Sequence, residues 1–242
     1  MRLKITLESE NEIILPLHYN KTLQGFIYSN LGPTLSGFLH DWGYIVNGKP
    51  LKPLTFSRIF GNCKIDKKNK KLIFSSPIYF YFSSSIKNIL NKYALNLMKK
   101  EKLRLGKNEV FLSSLEIIKD VIEGEEITVK TISPIVVRKT VEKKSLFLSP
   151  ESEEFYRQLS KNLSRKTLLH LKRPVDASEI EIRPASGGFF KKAVVLYKGF
   201  PYEGYKGKFL IRAPKEAIET ALLAGLGEKN AQGFGMVVPE RR

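Results

Sequence analysis

Strand-like runs in this chain come in adjacent pairs set between single helical segments, and that order limits the fold more than any other feature. In the first half, Leu3, Ile5 and Leu7 alternate with polar residues as a strand. Leu23, Phe26, Ile27 and Leu31 then recur at helical spacing behind a cap expected at Asn20. Gly32-Pro33 interrupts that helix, and a second helical piece follows with Pro33 in its first turn and Leu35, Phe38, Leu39 and Trp42 as its apolar, core-facing stripe. LTFSRIF and the aromatic, β-branched run KLIFSSPIYFYFS read as strands, SIKNILNKYALNLMKK as a helix capped by Ser85, and NEVFLSSLEIIK as a closing strand or pair of strands. The order is β-α-β-β-α-β.

The second half repeats the order without repeating the sequence. ITVKTISPIVVRK is a strand interrupted at Pro134, SEEFYRQLSKNLSRKTLLHL a helix, and EIEIRP, KKAVVLYKGF and YKGKFLIRA are strands; PKEAIETALLAGL is a helix and FGMVV a last short strand. A doubly wound sheet would alternate strands strictly with helices, so the pairs predict an α+β fold of two tandem ferredoxin-like units. The boundary is expected near residues 124 to 126, giving domains 1–125 and 126–242. No low-complexity linker separates them, which predicts close packing.

The 242 residues include 41 basic and 24 acidic side chains, a formal net charge of +17. Residues 1–125 carry net +8 and residues 126–242 net +9, so the excess is shared by both halves and interleaved with Phe, Tyr and Ile. A folded polyanion-binding surface accounts for this better than a basic tail, with nucleic acid ahead of membrane as the partner. A lysine-rich but merely soluble surface is the plain alternative. The single cysteine, Cys63, excludes an internal disulfide and a cysteine-based zinc cluster within the chain. The alternating start MRLKITLESE and the absence of any apolar run of some 18 residues predict no signal peptide, no membrane span and a cytoplasmic protein.

Near the C-terminus, GLGEKNAQGFGMVV places Gly225, Gly227, Gly233 and Gly235 after a helix and before a strand, the reverse of a dinucleotide-binding fingerprint. That many glycines suit a loop whose backbone approaches another backbone closely, either RNA or the neighbouring domain.

GLGEKNAQGFGMVV, the central SPIVVRK and the early run LQGFIYSNLGPTLSGFLHDWG together resemble the CRISPR repeat-RNA endoribonucleases, the Cas-six family of the RAMP superfamily, over nearly the whole chain. The resemblance implies cleavage of a precursor CRISPR transcript within each repeat, with no metal and no cofactor. It also implies a tyrosine on the first helix, a histidine on the following helical turn and a lysine shortly after. The matching residues are Tyr28, His40 and Lys52, with Lys49 as the alternative lysine. Helical geometry puts Tyr28 one position beyond the Leu23–Ile27–Leu31 stripe and His40 beside Ser36 and Gly37, so both rings are expected off the core.

In the implied reaction the RNA 2′-hydroxyl attacks the adjacent phosphorus, giving 2′,3′-cyclic phosphate and 5′-hydroxyl ends. His40 is expected as the acid for the leaving 5′-oxygen and Tyr28 as base or positioner of the 2′-hydroxyl, roles that exchange without altering the residue set. Lys52 would stabilise charge on the phosphorane. Expected RNA contacts are Arg138, Lys139, Arg183, Lys191, Lys192, Arg212 and Lys229 together with the loop residues Gly225, Gly227, Gly233, Phe234 and Gly235. Phe189 and Tyr197 are further stacking candidates. His18 precedes the first helix, as a helix-entry residue or an RNA contact, and His170 ends a long one, where a cation suits the helix dipole and a structural role is favoured. His40 and Asp41 point about 100° apart on a helix and do not make a metal site. The expected partner is CRISPR repeat RNA, with effector-complex proteins and a second copy of the chain as further candidates. The rival reading is a non-catalytic RAMP subunit that binds guide RNA in an effector complex.

Overall fold

A computed structural model describes residues 1–142, 144–187 and 189–240. Residues up to Ile118 build an antiparallel sheet in the order Leu54–Phe56, Ile78–Ser84, Arg2–Glu8, Asn108–Ile118, Leu103–Leu105. Three helices accompany it: α1 (Asn20–Ser29), α2 (Pro33–Asp41) and α3 (Lys87–Met98). The later residues form a second antiparallel sheet, Glu181–Pro184, Lys208–Arg212, Glu126–Thr131, Val237–Pro239, with α4 (Glu153–Leu171) and α5 (Lys215–Ala224). In both sheets the four principal strands lie in the spatial order 2-3-1-4 of their sequence order, so the fold is α+β with tandem ferredoxin-like units.

Strict alternation sets each sheet's inner face. Leu3, Ile5 and Leu7 are buried, as are their cross-strand neighbours Phe82, Phe80 and Ile78, and Phe80 meets Phe26 of α1 edge to face at 6.0 Å. Val129, Phe209 and Ile211 do the same in the second sheet, against Phe155, Leu159 and Leu163 of α4 and Ala217 and Ile218 of α5. Among the described residues no helix is long and apolar enough to cross a membrane.

Several local expectations are corrected. KLIFSSPIYFYFS is two strands, Lys71–Phe74 in a small separate sheet and Ile78–Ser84 in the main one, because Pro77 has no N–H to continue a ladder. Likewise YKGKFLIRA divides at Gly207 between a hairpin and the second sheet. Ser85 does not cap α3; the Ser84 hydroxyl instead accepts from the Ile86 N–H at 3.1 Å. Nor does Asn20 cap α1, since its amide is committed to the carbonyls of Gln232 (2.9 Å) and Gly233 (3.3 Å). The α2 stripe is buried only at Leu39. Trp42 is 71% exposed, because Gly43 at φ +70° closes the helix by donating to Phe38 O at 2.8 Å and turns the chain away.

Candidate functional site

Past Gly43 the run read as a loop is a β-hairpin. Tyr44–Val46 pairs with Lys49–Leu51 around Asn47-Gly48, both at positive φ, the conformation a two-residue primed turn demands. The hairpin carries the chain back beneath the end of α2, and the Lys52 ammonium donates to the His40 carbonyl at 2.7 Å. A Cβ on Gly43 would lie 3.3 Å from Lys52 Cγ and 2.9 Å from Leu51 O, so glycine is what lets the lysine stem pass. Of the two candidate lysines, Lys52 therefore adjoins His40. Burial lowers its proton affinity, Asp41 partly restores it, and Lys198 lowers it further.

His40 is 71% exposed, and its Nδ1 lies 2.7 Å from Asp41 Oδ1. A carboxylate only accepts, so Nδ1 carries the proton and Nε2 is the nitrogen free to exchange one. Tyr28 differs from expectation. It is buried, its hydroxyl has no hydrogen-bond partner among the described residues, and burial followed by the neighbouring Tyr197 pushes its pKa well above the ordinary phenol value. The helical reading placed it off the stripe, but the long strand pair Lys191–Tyr197 and Phe200–Lys206 covers that side of α1: Tyr197 bonds Gln24, one turn before Tyr28, and Leu196 N–H reaches His18 Nδ1 at 3.3 Å.

A groove of about 1130 Å³ opens beside these elements, lined by seven basic and three acidic side chains. Lys49 and Lys52 come from the first unit; Arg138, Lys229 and Gly227 come from the second. Arg138 is held by Glu228, with Nη2 at 2.7 Å and Nε at 3.0 Å from the same carboxylate oxygen. Lys161 and Arg165 of α4 also line the groove and were not anticipated. Their four-residue spacing, continuing from Arg157, was the available signal. Arg183, Lys191, Lys192, Arg212 and Lys139 do not line the groove. Lys192 pairs with Glu203 at 2.7 Å, Arg212 with Glu126 and Glu181, and Arg183 with Glu181 at 3.6 Å. Phe189 is 83% exposed.

The glycine-rich loop is a packing device. Gly225, Gly227, Gly233 and Gly235 all have positive φ, and added Cβ atoms would overlap Asn230 and Thr55, Val136 O, the Phe56 ring and Leu226 O respectively. Phe234 is fully buried against Tyr202 and offers no free face for a base, which removes it as a stacking candidate. At the loop's centre sits Lys166 of α4, fully buried, which no sequence signal marked. Its ammonium donates to Gly225 O (2.7 Å), Gly227 O (2.8 Å) and Asn230 Oδ1 (2.7 Å). Burial lowers its proton affinity strongly, yet a neutral amine has only two N–H groups and the cage has three acceptors, so the ammonium fits it. The loop also grips α1: Gln24 donates to Ala231 O at 2.6 Å beside the two Asn20 contacts. Of the remaining histidines, His170 is half-buried with Nδ1 2.8 Å from Thr220 Oγ1, a structural contact.

Two family models divide this chain between them: "CRISPR-associated protein Cas6, N-terminal" matches residues 14–116 and "CRISPR associated protein Cas6, C-terminal" residues 116–239. A curated relative, the CRISPR-associated endoribonuclease Cas6 1 of Methanocaldococcus jannaschii, is 26% identical over 98% of this chain and 92% of its own. Among solved structures, a Cas6-related protein from Pyrococcus furiosus superposes with a TM-score of 0.83 at 25% identity, covering 100% of this chain and 99% of that one. A RAMP protein described as binding different RNA substrates superposes at 0.81 with 26% identity and full coverage of both. With the two models together accounting for nearly its whole length, the chain belongs to the Cas6 family of CRISPR-associated proteins.

Proposed function

We propose that this protein is a CRISPR repeat-specific endoribonuclease that cleaves precursor CRISPR RNA by attack of a 2′-hydroxyl, without a metal ion, leaving 2′,3′-cyclic phosphate and 5′-hydroxyl ends. The observation that carries the reading is the Lys52–His40 contact on the rim of a basic groove built from both units. The relative's endoribonuclease name and the RNA-binding RAMP neighbour agree with it. The division at residues 125/126 makes the groove an inter-domain cleft.

RNA supplies its own nucleophile, so the protein needs only to orient it and manage charge. His40, its ring held through Nδ1 by Asp41, presents Nε2–H to the departing 5′-oxygen, a contribution of roughly 10²–10⁴-fold. Lys52 offsets negative charge on the non-bridging oxygens, where a preorganised cation acts without reorganisation. The raised pKa of Tyr28 has the opposite sign from what a base needs, so in this reading the phenol acts in its neutral form, uncovered when RNA displaces the hairpin bearing Tyr197, to position the 2′-hydroxyl, and the 2′ proton passes to solvent. The loop cage fixes α1, and with it Tyr28, against the second unit.

Incubation with end-labelled repeat RNA in EDTA tests the mechanism. Cleavage to cyclic-phosphate ends is expected, and a requirement for Mg²⁺ would overturn metal independence. Tight binding with no cleavage under any condition would favour the guide-RNA-binding subunit instead. A 2′-deoxy substitution at the scissile position should leave binding intact and abolish cutting, and His40→Ala should bind but cut on the order of 10²-fold more slowly.

A further inference from the structure

A second depression, of about 580 Å³, lies on a different flank of α1 from the groove. It is lined by Ser29 and Asn30, by Lys100 and Lys102, and by Arg104, Lys107 and Glu109 of the hairpin that joins Leu103–Leu105 to Asn108–Ile118. On the helix Ser29 stands about 140° around from Gln24, which lines the groove, and it directly follows Tyr28. Four cations here face one carboxylate. That carboxylate is engaged by Lys102 at 2.9 Å, an exposed pair that stabilises little and leaves the other three charges unneutralised. Lys100 donates to Asn30 Oδ1 at 2.8 Å, and Asn30 is itself buried and anchored on Phe26 O at 2.8 Å. Arg104 spends only Nε, on Gly106 O at 3.2 Å, so the fork of its terminal nitrogens is open among the described residues, as is the Lys107 ammonium.

The hairpin is also held in place. Gly106, at φ +65°, passes so close to α1 that a Cβ there would lie 2.9 Å from Thr22 Cγ2. Like charges gathered in one concave, fixed site repel each other unless an anion occupies it, and an open guanidinium fork beside two ammonium groups matches phosphate oxygens.

We propose that this depression is a phosphodiester-binding subsite that holds the RNA strand after it has passed the Tyr28 end of α1, so that bound RNA bridges two flanks of that helix. The subsite rests on the endoribonuclease reading only for the identity of its ligand. Two charge-neutralising double variants of the full-length protein test it. Arg104→Ala/Lys107→Ala alters the depression, whereas Lys67→Ala/Lys68→Ala removes the same charge from an exposed hairpin turn that lines neither opening. Affinity for a repeat RNA made uncleavable by 2′-deoxy substitution is read by fluorescence anisotropy across a salt series.

Loss of two phosphate contacts should lower the salt slope by about 1.4 and weaken binding roughly tenfold or more at moderate salt, while the control pair stays within about twofold of wild type. Equal effects of the two variants would overturn the subsite, showing general attraction of a polyanion. Inorganic phosphate at millimolar concentration is the second arm. If it competes with RNA for the wild type but not for Arg104→Ala/Lys107→Ala, the site takes phosphate groups generally and RNA is one source of them. Because binding is measured without cleavage, a wild type that binds through this depression but never cuts would sink the catalytic reading and leave the subsite standing.

Discussion

Replacing Lys166 with methionine removes the cation that ties the glycine-rich loop to α4 while keeping most of the side-chain volume. Three acceptors, Gly225 O, Gly227 O and Asn230 Oδ1, lose their donors inside the protein. At about 1–3 kcal/mol for each buried acceptor left unpaired, the gross loss is about 3–9 kcal/mol. The substitution also relieves the desolvation penalty of a fully buried ammonium, several kcal/mol, so the net destabilisation should be about 2–4 kcal/mol. For a chain of this length each kcal/mol moves Tm by roughly 2–4 °C, which gives a fall of roughly 4–16 °C in a calorimetric scan at neutral pH. Lys161→Met, one turn away and exposed on the groove, should shift Tm by no more than about 2 °C. A Tm for Lys166→Met at or above wild type would refute the reasoning, because it would show that desolvation outweighs all three hydrogen bonds.

Tyr28→Phe removes a buried hydroxyl that pairs with nothing among the described residues, so stability should be unchanged or rise by up to about 1 kcal/mol while cleavage falls on the order of 10²-fold; a lower Tm would reveal a partner for the hydroxyl. Single-turnover rates should separate the lysines, with Lys52→Ala losing on the order of 10²–10³-fold and Lys49→Ala less than tenfold. Lys52 acts as a cation and its pKa is lowered, mainly by burial, so its charge is lost as pH rises at a lower pH than for an ordinary lysine. The alkaline limb of the rate profile should fall correspondingly early, and Lys52→Arg should move it upward; an unmoved limb would assign it to another group. Gly227→Ala forces a Cβ into Val136 O at φ +66°, whereas Gly199→Ala at φ +80° meets open space. Thermal scans should show the first losing more stability than the second by about 2 kcal/mol or more, and equal shifts would mean that backbone strain alone sets the cost.

The tandem βαββαβ order was legible because alternation and helical spacing are local signals, and strands such as Arg2–Glu8 bury Leu3, Ile5 and Leu7 on one face. The Lys52–His40 contact was half legible. Tyr28, His40 and Lys52 were matched by resemblance, but the choice between Lys49 and Lys52 depended on an Asn47-Gly48 turn whose register a loop reading does not supply. Tyr28 and Trp42 were misplaced for the same reason in opposite senses. Helical periodicity reports which side of a helix a residue occupies, and not what lies over that side. The hairpin bearing Tyr197 covers Tyr28, and the turn at Gly43 leaves Trp42 in solvent. Lys166 had no signal at all, since a lysine among Arg165 and Thr167 reads as surface until distant carbonyls close around it.

Those distant carbonyls explain why the glycines and the candidate chemistry belong to one construction. Asn20 and Gln24 take carbonyls of Ala231, Gln232 and Gly233, and Ala231 is buried in the first unit's core while Phe234 and Leu226 are buried in the second half of the chain. The loop turns sharply enough to offer carbonyls to both sides, with positive φ at the four glycines and at Lys229 (φ +60°). Lys166 then neutralises the concentration of carbonyl dipoles such a turn creates. The helix that carries Tyr28 is thus fixed from the opposite half of the chain: Asn20 and Gln24 hold α1 to the loop, and Lys166 holds that loop to α4 within the second half, beside the groove that both halves line.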